Sequence, residues 1–146
     1  MKFISNQLGE LDYDKDQIIL FNEGLLGFEH LTKFLLVHLE ETLPFEWLVS
    51  LEESMIAFPI INPVNIVPDY TVQLNKENMY EGFLKSPESN VVYNIVNFSK
   101  GDPTVNLRGP IIINEKEKCG KQMVLNDDRY SFQYHISEPS INMETA

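Results

Sequence analysis

The side chains that most often bind metals or carry protons are few in this sequence and widely spaced. Its three histidines, His30, His38 and His135, fall in three separate predicted elements. None belongs to an HxxxH or HExxH motif, the spacings that place two ligands on one face of a helix. Glu29 adjoins His30, but neighbouring residues of a helix or strand point away from each other. These residues therefore predict neither a metal site nor an acid–base pair.

The single cysteine, Cys119, excludes an internal disulfide and a zinc site built from several cysteines. A lone cysteine suits a reducing cytosol. It lies in a charged turn beside Lys118 and Gly120, with no histidine near it in the sequence that would lower the pKa of its thiol for covalent catalysis. We interpret it as an exposed thiol without a function.

Two further patterns resemble ligand-binding motifs but lack essential parts. Gly24 and Gly27 lack the third glycine of a dinucleotide fingerprint and the Lys-Ser/Thr pair of a P-loop, so we expect them to supply positive φ in a turn. Asp127 and Asp128 lack the spacing and distal Glu of an EF-hand, and we expect them to cap a turn or pair with Arg129. The sequence therefore predicts no cofactor and no assembled active site, which favours binding over catalysis.

The charge of the chain is strongly negative. It has 22 acidic and 11 basic residues, a formal net charge of −11 at pH 7 and a pI near 4.6. Residues 1–99 carry 15 of the acidic residues against 5 lysines. Because phosphate binding requires clustered positive charge, direct contact with nucleic acid or an anionic membrane is disfavoured. A basic protein would be attracted to this surface, although the same acidity could serve only solubility.

Length and hydropathy bound the architecture. A chain of 146 residues, 43% of them hydrophobic, is the size of one domain and can bury a sizeable core. No segment approaches 18 uncharged apolar residues, and no long apolar run follows Lys2. We therefore expect neither secretion nor a membrane span.

Short apolar or alternating runs separated by Gly, Pro, Asn and Asp dominate the sequence, a pattern typical of strands and turns. The predicted strands are Lys2–Ser5, Glu10–Tyr13, Gln17–Phe21, Phe34–Leu39, Phe45–Leu51, Ile56–Ile61, Tyr70–Leu74, Val91–Phe98, Thr104–Arg108, Ile111–Asn114, Gln122–Leu125 and Tyr130–Ile136. The runs QIILF, IAFPII and III fit strands buried on both faces or lying in the wall of a closed barrel. Pro59 should place its strand at an edge or a bulge.

Helical signals are few. One or two turns are predicted at Phe28–Lys33, and a short helix at Asn75–Leu84 with Asn75 as its N-cap. Ser86 and the proline after it should end that helix. Residues 137–146 lack periodicity and a bulky cluster, so we predict a disordered tail there.

Two local patterns carry sharper predictions. The charged run 114–122 should be a hairpin loop in which Gly120 takes the left-handed conformation. Strict alternation in the run YSFQYHI should place Tyr130, Phe132, Tyr134 and Ile136 on one face of a strand with a solvated opposite face.

Five segments form a recognisable series along the chain. They are 21–29 (FNEGLLGFE), 44–48 (PFEWL), the NP and PDY pieces within 62–70, 106–114 (NLRGPIIIN) and 120–131 (GKQMVLNDDRYS). In this order and spacing they resemble the flagellar assembly factor (FliW) family of bacteria over nearly all of residues 1–136. Gly109, where the family usually has Ala, and Met123, where it usually has Val, depart from the pattern.

The resemblance implies an all-β, small barrel-like antiparallel fold with one or two short helices, as a single domain over residues 1–136. It also implies a cytoplasmic protein that performs no catalysis and binds two proteins. One is flagellin, the filament subunit, and the other is the carbon storage regulator CsrA, a dimeric RNA-binding repressor of translation. In the family, the factor sequesters CsrA when flagellin is scarce and releases it when new flagellin competes. We expect a monomer.

Flagellin's terminal segments are amphipathic helices, so a chaperone for them needs an apolar groove. The candidate partner contacts are Leu25, Leu26, Phe28, Phe45 and Trp47, which are bulky and lie beside predicted turns, together with Asp69. Phe45 and Trp47 could instead belong to the core.

An alternative from another class is a small β-barrel ligand-binding module, or an enzyme whose site is shared across an oligomer interface. The lack of a metal, nucleotide or nucleophile motif counts against it. A flavin or metal that copurified with the protein would favour it.

Overall fold

The computed structural model describes residues 1–72, 79–98 and 101–136, with Asn65 described by its main chain alone. The strands are β1 (Lys2–Ser5), β2 (Gly9–Asp12), β3 (Ile19–Leu20), β4 (Lys33–Val37), β5 (Glu46–Ser50), β6 (Ala57–Ile61), β7 (Asn90–Asn97), β8 (Thr104–Val105), β9 (Ile111–Asn114), β10 (Cys119–Gln122) and β11 (Tyr134–His135). One α-helix is described, α1 (Glu81–Lys85), with 3-10 turns at Lys15–Gln17, Glu40–Thr42, Pro63–Asn65 and Pro87–Ser89.

Within the described residues, seven strands close into a barrel in the order β3–β4–β5–β6–β7–β9–β10. Neighbouring strands are antiparallel except β10 and β3, which run parallel and meet through one residue pair, Cys119 with Leu20. We call this pair the barrel seam, because it closes the sheet on itself. A separate hairpin joins β1 to β2, and β8 pairs with β7 and β11. The predicted all-β barrel-like fold is confirmed.

The barrel interior holds the main apolar core. Phe21, Phe34, Leu48, Ile60 and Ile111 are fully buried there, and the rings of Phe21 and Phe34 pack edge to face with centroids 5.2 Å apart. Burying a side chain of this size stabilises the fold by about 1.5–3 kcal/mol. The three apolar runs that predicted barrel-wall strands supply β3, β6 and β9. That interpretation is confirmed.

A second apolar cluster lies around Leu107 and gathers residues from β6, β7, β8 and the C-terminal segment. At its edge the Tyr70 hydroxyl donates a hydrogen bond to the carbonyl of Leu107. Asn94 Nδ2 donates to that hydroxyl at 3.2 Å and to the carbonyl of Asn106 at 2.8 Å. Burial raises the pKa of Tyr70 to about 12, so the hydroxyl remains protonated at neutral pH. This network holds the carbonyls of Asn106 and Leu107, and Asn106 lines the candidate site.

Several predicted boundaries differ from the structure. β10 lies at Cys119–Gln122, three residues before the predicted strand. Lys118, with φ of 56°, takes the left-handed position of the hairpin, and Gly120 lies inside β10 opposite Ile113. The loop is therefore shorter than its charged sequence predicted.

The predicted helices are also corrected. Instead of a helix, Phe28 begins a hydrogen-bonded turn, in which the N–H of Leu31 donates to its carbonyl at 3.0 Å, and Lys33 already belongs to β4. The second helix is reduced to α1 and ends at Ser86 as predicted, while its proposed cap, Asn75, lies outside the described residues. Tyr70 and the two residues after it are not in a strand, and the rest of that predicted strand is not described. The predicted tail at 137–146 is not described either.

Pro59 does not lie on an edge strand, because β6 is flanked by β5 and β7. Pro59 is opposite Trp47 of β5, and pairing with β7 begins one residue later, at Ile60. The proline, which has no N–H to donate, therefore stands just before the ladder to β7 begins. In the parts of the chain that the structure describes, no helix is long and apolar enough to cross a membrane.

Candidate partner-binding site

The six predicted contact residues are not gathered on one surface. Leu25 is only 2% exposed and belongs to the barrel core. Phe28 packs edge to face on Phe58 with ring centroids 5.2 Å apart, and Phe45 packs in the same way on Phe98 at 5.3 Å. Leu25, Phe28 and Phe45 therefore pack against other residues of the same chain and do not together form an apolar groove for a partner.

The other predicted residues differ in exposure. Trp47 is half-buried on β5, and its indole Nε1 donates to the hydroxyl of Thr42 at 3.0 Å. Asp69 is exposed, and so is Leu26, which keeps 52% of its surface accessible. Of the apolar candidates, Leu26 therefore has the side chain most available to a partner.

Leu26 is presented by a tight turn that follows β3. Gly24 and Gly27 have φ of 66° and 85°, which confirms the prediction that they supply positive φ there. The N–H of Phe28 donates to the carbonyl of Leu25 at 2.7 Å, and the N–H of Leu26 donates to Gln122 Oε1 at 2.8 Å. The turn is thus tied to β10, and the Leu26 side chain is held outward.

Leu26 borders a groove of about 250 Å3 that also contains Phe132. Its lining is Leu26, Ile95, Asn97, Thr104, Asn106, Gln122, Phe132 and Gln133, and we call it the Leu26–Phe132 groove. Phe132 is 51% exposed, and the guanidinium carbon of Arg108 lies 4.9 Å from its ring centroid. Two large apolar side chains therefore border a surface that is otherwise mostly polar.

The polar lining of the groove is held in place by internal hydrogen bonds. Asn106 Oδ1 accepts from the N–H groups of Arg108 and Gly109 at 3.1 and 2.9 Å. Gln122 Nε2 donates to the carbonyl of Gly109 at 3.0 Å while its Oε1 accepts from Leu26. A preformed surface of this kind suits an amphipathic segment whose apolar side chains contact Leu26 and Phe132.

Phe132 is not among the predicted contact residues, because the predicted strand gave it a buried position. Strict alternation placed it on the buried face with Tyr130 and Ile136, and those two residues are indeed buried. The chain turns at Ser131, where the hydroxyl accepts from the N–H of Gln133 at 2.9 Å, so the alternation is interrupted and Phe132 faces solvent. Alternation alone gave no signal for this turn.

A second cluster contains titratable side chains that could take part in chemistry, and it links β5 to β7. The Glu46 carboxylate is bonded by His38 Nδ1 and by the Tyr93 hydroxyl. Burial, together with the nearby Glu115 carboxylate, raises the pKa of Glu46 in spite of these two partners. A carboxyl group with a raised pKa beside a histidine can serve as a general acid. Here, however, the Glu46 carboxylate is already engaged by His38 and Tyr93. We therefore interpret the cluster as structural.

Cys119 is half-buried in β10 rather than exposed in a turn. Burial, and then the neighbouring Glu117 carboxylate, raise the pKa of its thiol. A thiol with a raised pKa is a poor nucleophile at neutral pH.

Of the two adjacent aspartates before β11, Asp127 forms an ion pair with Arg129. Arg129 bonds both oxygens of Asp127, with its Nη2 2.6 Å from Oδ2, and lowers the pKa of that carboxyl to about 2. The predicted pairing with Arg129 is confirmed for Asp127. Across residues 1–72, 79–98 and 101–136, no three His, Cys, Asp or Glu side chains come together as a possible metal site.

Comparison with known proteins identifies the family. The sequence profile of the family described as FliW protein matches residues 2–136. The chain belongs to the FliW family. This confirms the resemblance that was drawn from five separate sequence segments.

Individual relatives in the FliW family match nearly the whole chain. A flagellar assembly factor FliW from Thermosipho africanus is 38% identical over 141 residues, which cover 94% of this chain and 97% of that protein. One from Clostridium tetani is 41% identical over 138 residues, covering 93% and 95%. A crystal structure of the flagellar assembly factor FliW aligns with a TM-score of 0.80 at 26% identity, covering 93% of this chain and 96% of that one.

Proposed function

We propose that the chain is a flagellar assembly factor that acts in the cytoplasm by binding other proteins, without catalysing a reaction. It binds flagellin as a chaperone, and it binds and antagonises the translational regulator CsrA, so that flagellin synthesis follows flagellin export. The observation that carries this proposal is membership of the FliW family over residues 2–136. Relatives named flagellar assembly factor align with at least nine-tenths of the chain.

The Leu26–Phe132 groove is the surface that we assign to flagellin. An amphipathic helix presents apolar side chains three or four residues apart, and Leu26 and Phe132 are two exposed apolar side chains that such a helix can contact. The amides of Asn106 and Gln122 line the same groove and can contact the polar flank of that helix. The hydrogen-bonded turn around Leu26 favours binding because little ordering is needed on this side of the interface.

We assign CsrA to the acidic surface that residues 1–99 contribute. The net charge of −11, concentrated in residues 1–99, attracts a basic RNA-binding protein and accelerates its encounter. An acidic body bound beside an RNA site also repels phosphate without occupying the site. Binding of CsrA should therefore weaken as the salt concentration rises.

A competition experiment tests the pair of partners. The full chain is immobilised, loaded with purified CsrA from the same organism, and titrated with purified flagellin while released CsrA is measured. Flagellin should displace CsrA in a saturable way. If neither protein is retained on the chain at micromolar concentration, the proposed function is wrong and the ligand-binding alternative is the one to pursue.

Replacing Leu26 by Asp should weaken flagellin binding at least tenfold, or about 1.4 kcal/mol, because a charge would be placed against an apolar side chain of the partner. The fold should be spared, since about half of Leu26 is exposed. Isothermal titration with flagellin measures the loss.

Met55→Asp is the matched control, because Met55 is 63% exposed in the turn between β5 and β6 and does not line the groove. It should bind flagellin like the natural chain. Phe132→Asp should repeat the loss seen for Leu26→Asp. Natural affinity in both groove variants would place the flagellin site elsewhere.

A further inference from the structure

One half of β4 has an unpaired outer edge. β4 pairs with β5 from Phe34 to Val37, but it pairs with β3 only at Lys33 and Phe34. The N–H of Leu51 donates to the carbonyl of Lys33, which sets the alternation of the ladder to β5. It follows that the main-chain groups of Leu36 and His38 point away from β5, and beyond Phe34 the structure describes no strand on that side.

The hairpin outside the barrel presents a second unpaired edge. Met1 and Tyr13 exchange two main-chain hydrogen bonds, each 2.8 Å long, so they form a hydrogen-bonded pair at the end of the β1–β2 ladder. Because hydrogen-bonded and non-hydrogen-bonded pairs alternate, the N–H and C=O groups of Glu10 and Asp12 point away from β1. No described residue bonds to them.

These two edges border the same cleft, which has a volume of about 270 Å3. Its lining is Leu11, Asp12, Tyr13, Gln17, Leu35, Leu36, Val37 and His38, and we call it the β2–β4 cleft. Unpaired strand edges are sites where an extended chain can add by main-chain hydrogen bonds. Here Leu36 and His38 offer such groups on one side and Asp12 on the other.

The charge around the cleft defines its occupant. Asp12 of β2 is the carboxylate that lines the cleft, while Glu10, two residues before it, is paired with Lys2 at 3.3 Å. His38, at the other rim, is already paired with the Glu46 carboxylate. The cleft therefore combines an apolar lining from β4 with an acidic rim from β2. An acidic peptide would be repelled by Asp12, whereas lysine or arginine on alternate residues, which share one face of a strand, would place a positive charge beside it.

We propose that the β2–β4 cleft binds an extended segment of a partner protein, with alternating basic and apolar residues, which adds as a strand to the edge of β4 at Leu36 and His38. The inference does not depend on the flagellar partners proposed above, since it rests on two strand edges and the charge beside them. The Leu26–Phe132 groove has a different lining, so the two surfaces can be tested separately.

The test uses the full chain labelled with 15N and a synthetic peptide, acetyl-KVKVKV-amide. On titration, the amide signals of Leu36 and His38 should shift together and their hydrogen exchange should slow at least tenfold. The dissociation constant should rise several-fold between 50 and 300 mM salt, because the rim contacts are charge pairs at the surface. The EVEVEV peptide should not bind.

Peptides carrying N-methyl groups on alternate residues, in either of the two possible frames, separate strand addition from charge attraction. Each methylated peptide keeps its full charge but lacks the N–H donors along one of its edges. The frame in which the missing N–H groups face β4 should lose at least tenfold in affinity. Asp12→Lys should weaken KVKVKV binding about fivefold or more, whereas Asp102→Lys, in the turn between β7 and β8, should not change it.

Three results would overturn the proposal. If both methylated frames bound as tightly as the unmethylated peptide, main-chain pairing would not be involved. Unshifted Leu36 and His38 signals at saturation would place the peptide elsewhere. Protection of both amides in a peptide-free dimer would show that a second copy of the chain occupies the cleft.

Discussion

Alanine at position 120 should destabilise the barrel by about 3 kcal/mol or more, at the upper end of what overpacking a core costs. A Cβ atom on Gly120 would lie 2.3 Å from Cζ of Phe21 and 2.5 Å from its Cε1. The Phe21 ring is fully buried and packs on Phe34, so it has no free space to turn into. Urea unfolding of Gly120→Ala beside the natural chain measures the loss.

The ring of Phe21 supplies the control. Phe21→Leu removes the ring atoms that would meet the new Cβ, so the double variant with Gly120→Ala should be little less stable than Phe21→Leu alone. Such non-additivity is expected where two residues share one space. If the two losses simply added, the clash with the ring would not be their cause.

The second large effect is expected at Gly24. Its φ is 66°, and a Cβ there would lie 2.6 Å from the Cα and the carbonyl oxygen of Glu29. These are main-chain atoms, so they can move only if the turn opens. Gly24→Ala should therefore cost roughly 3 kcal/mol or more, since steric overlap adds to the cost of the left-handed conformation. It should also weaken flagellin binding, because the turn presents Leu26.

Gly27 is the matched comparison in the same turn. It has φ of 85°, but a Cβ there would have nothing within 4 Å. Gly27→Ala should cost only the left-handed strain, about 1–2 kcal/mol. Thermal and urea unfolding of both variants give the comparison, and equal losses would show that the overlap with Glu29 is relieved in the folded state.

Much of the fold is predictable from sequence because the barrel wall needs strands that are apolar on consecutive positions. β9 has the bounds that its sequence predicts, and its run of three isoleucines is fully buried. The turn at Gly24 and Gly27 was also predictable, since glycine is the residue that adopts positive φ without strain.

What the sequence could not show depends on contacts between distant residues. Gly120 looks like a turn residue, yet it lies in β10, where the ring of Phe21, which is distant in sequence, leaves no room for a side chain. Leu25 and Leu26 are adjacent and chemically alike, but the turn buries one and exposes the other. Phe132 is exposed because the chain turns at Ser131, which alternation does not reveal. The candidate groove therefore became visible only in three dimensions.

The barrel seam also constrains how the protein is made. Leu20 and Cys119 form the one pair between β3 and β10, so the first barrel strand has no neighbour on that side until the last has been synthesised. Contacts between residues so far apart in the chain form slowly, because a long loop must close first. On a ribosome, the sheet from β3 to β7 should therefore wait, open and with Phe21 and Phe34 uncovered, until the β9–β10 hairpin emerges. During translation, this open interval is when the chain is most prone to aggregate.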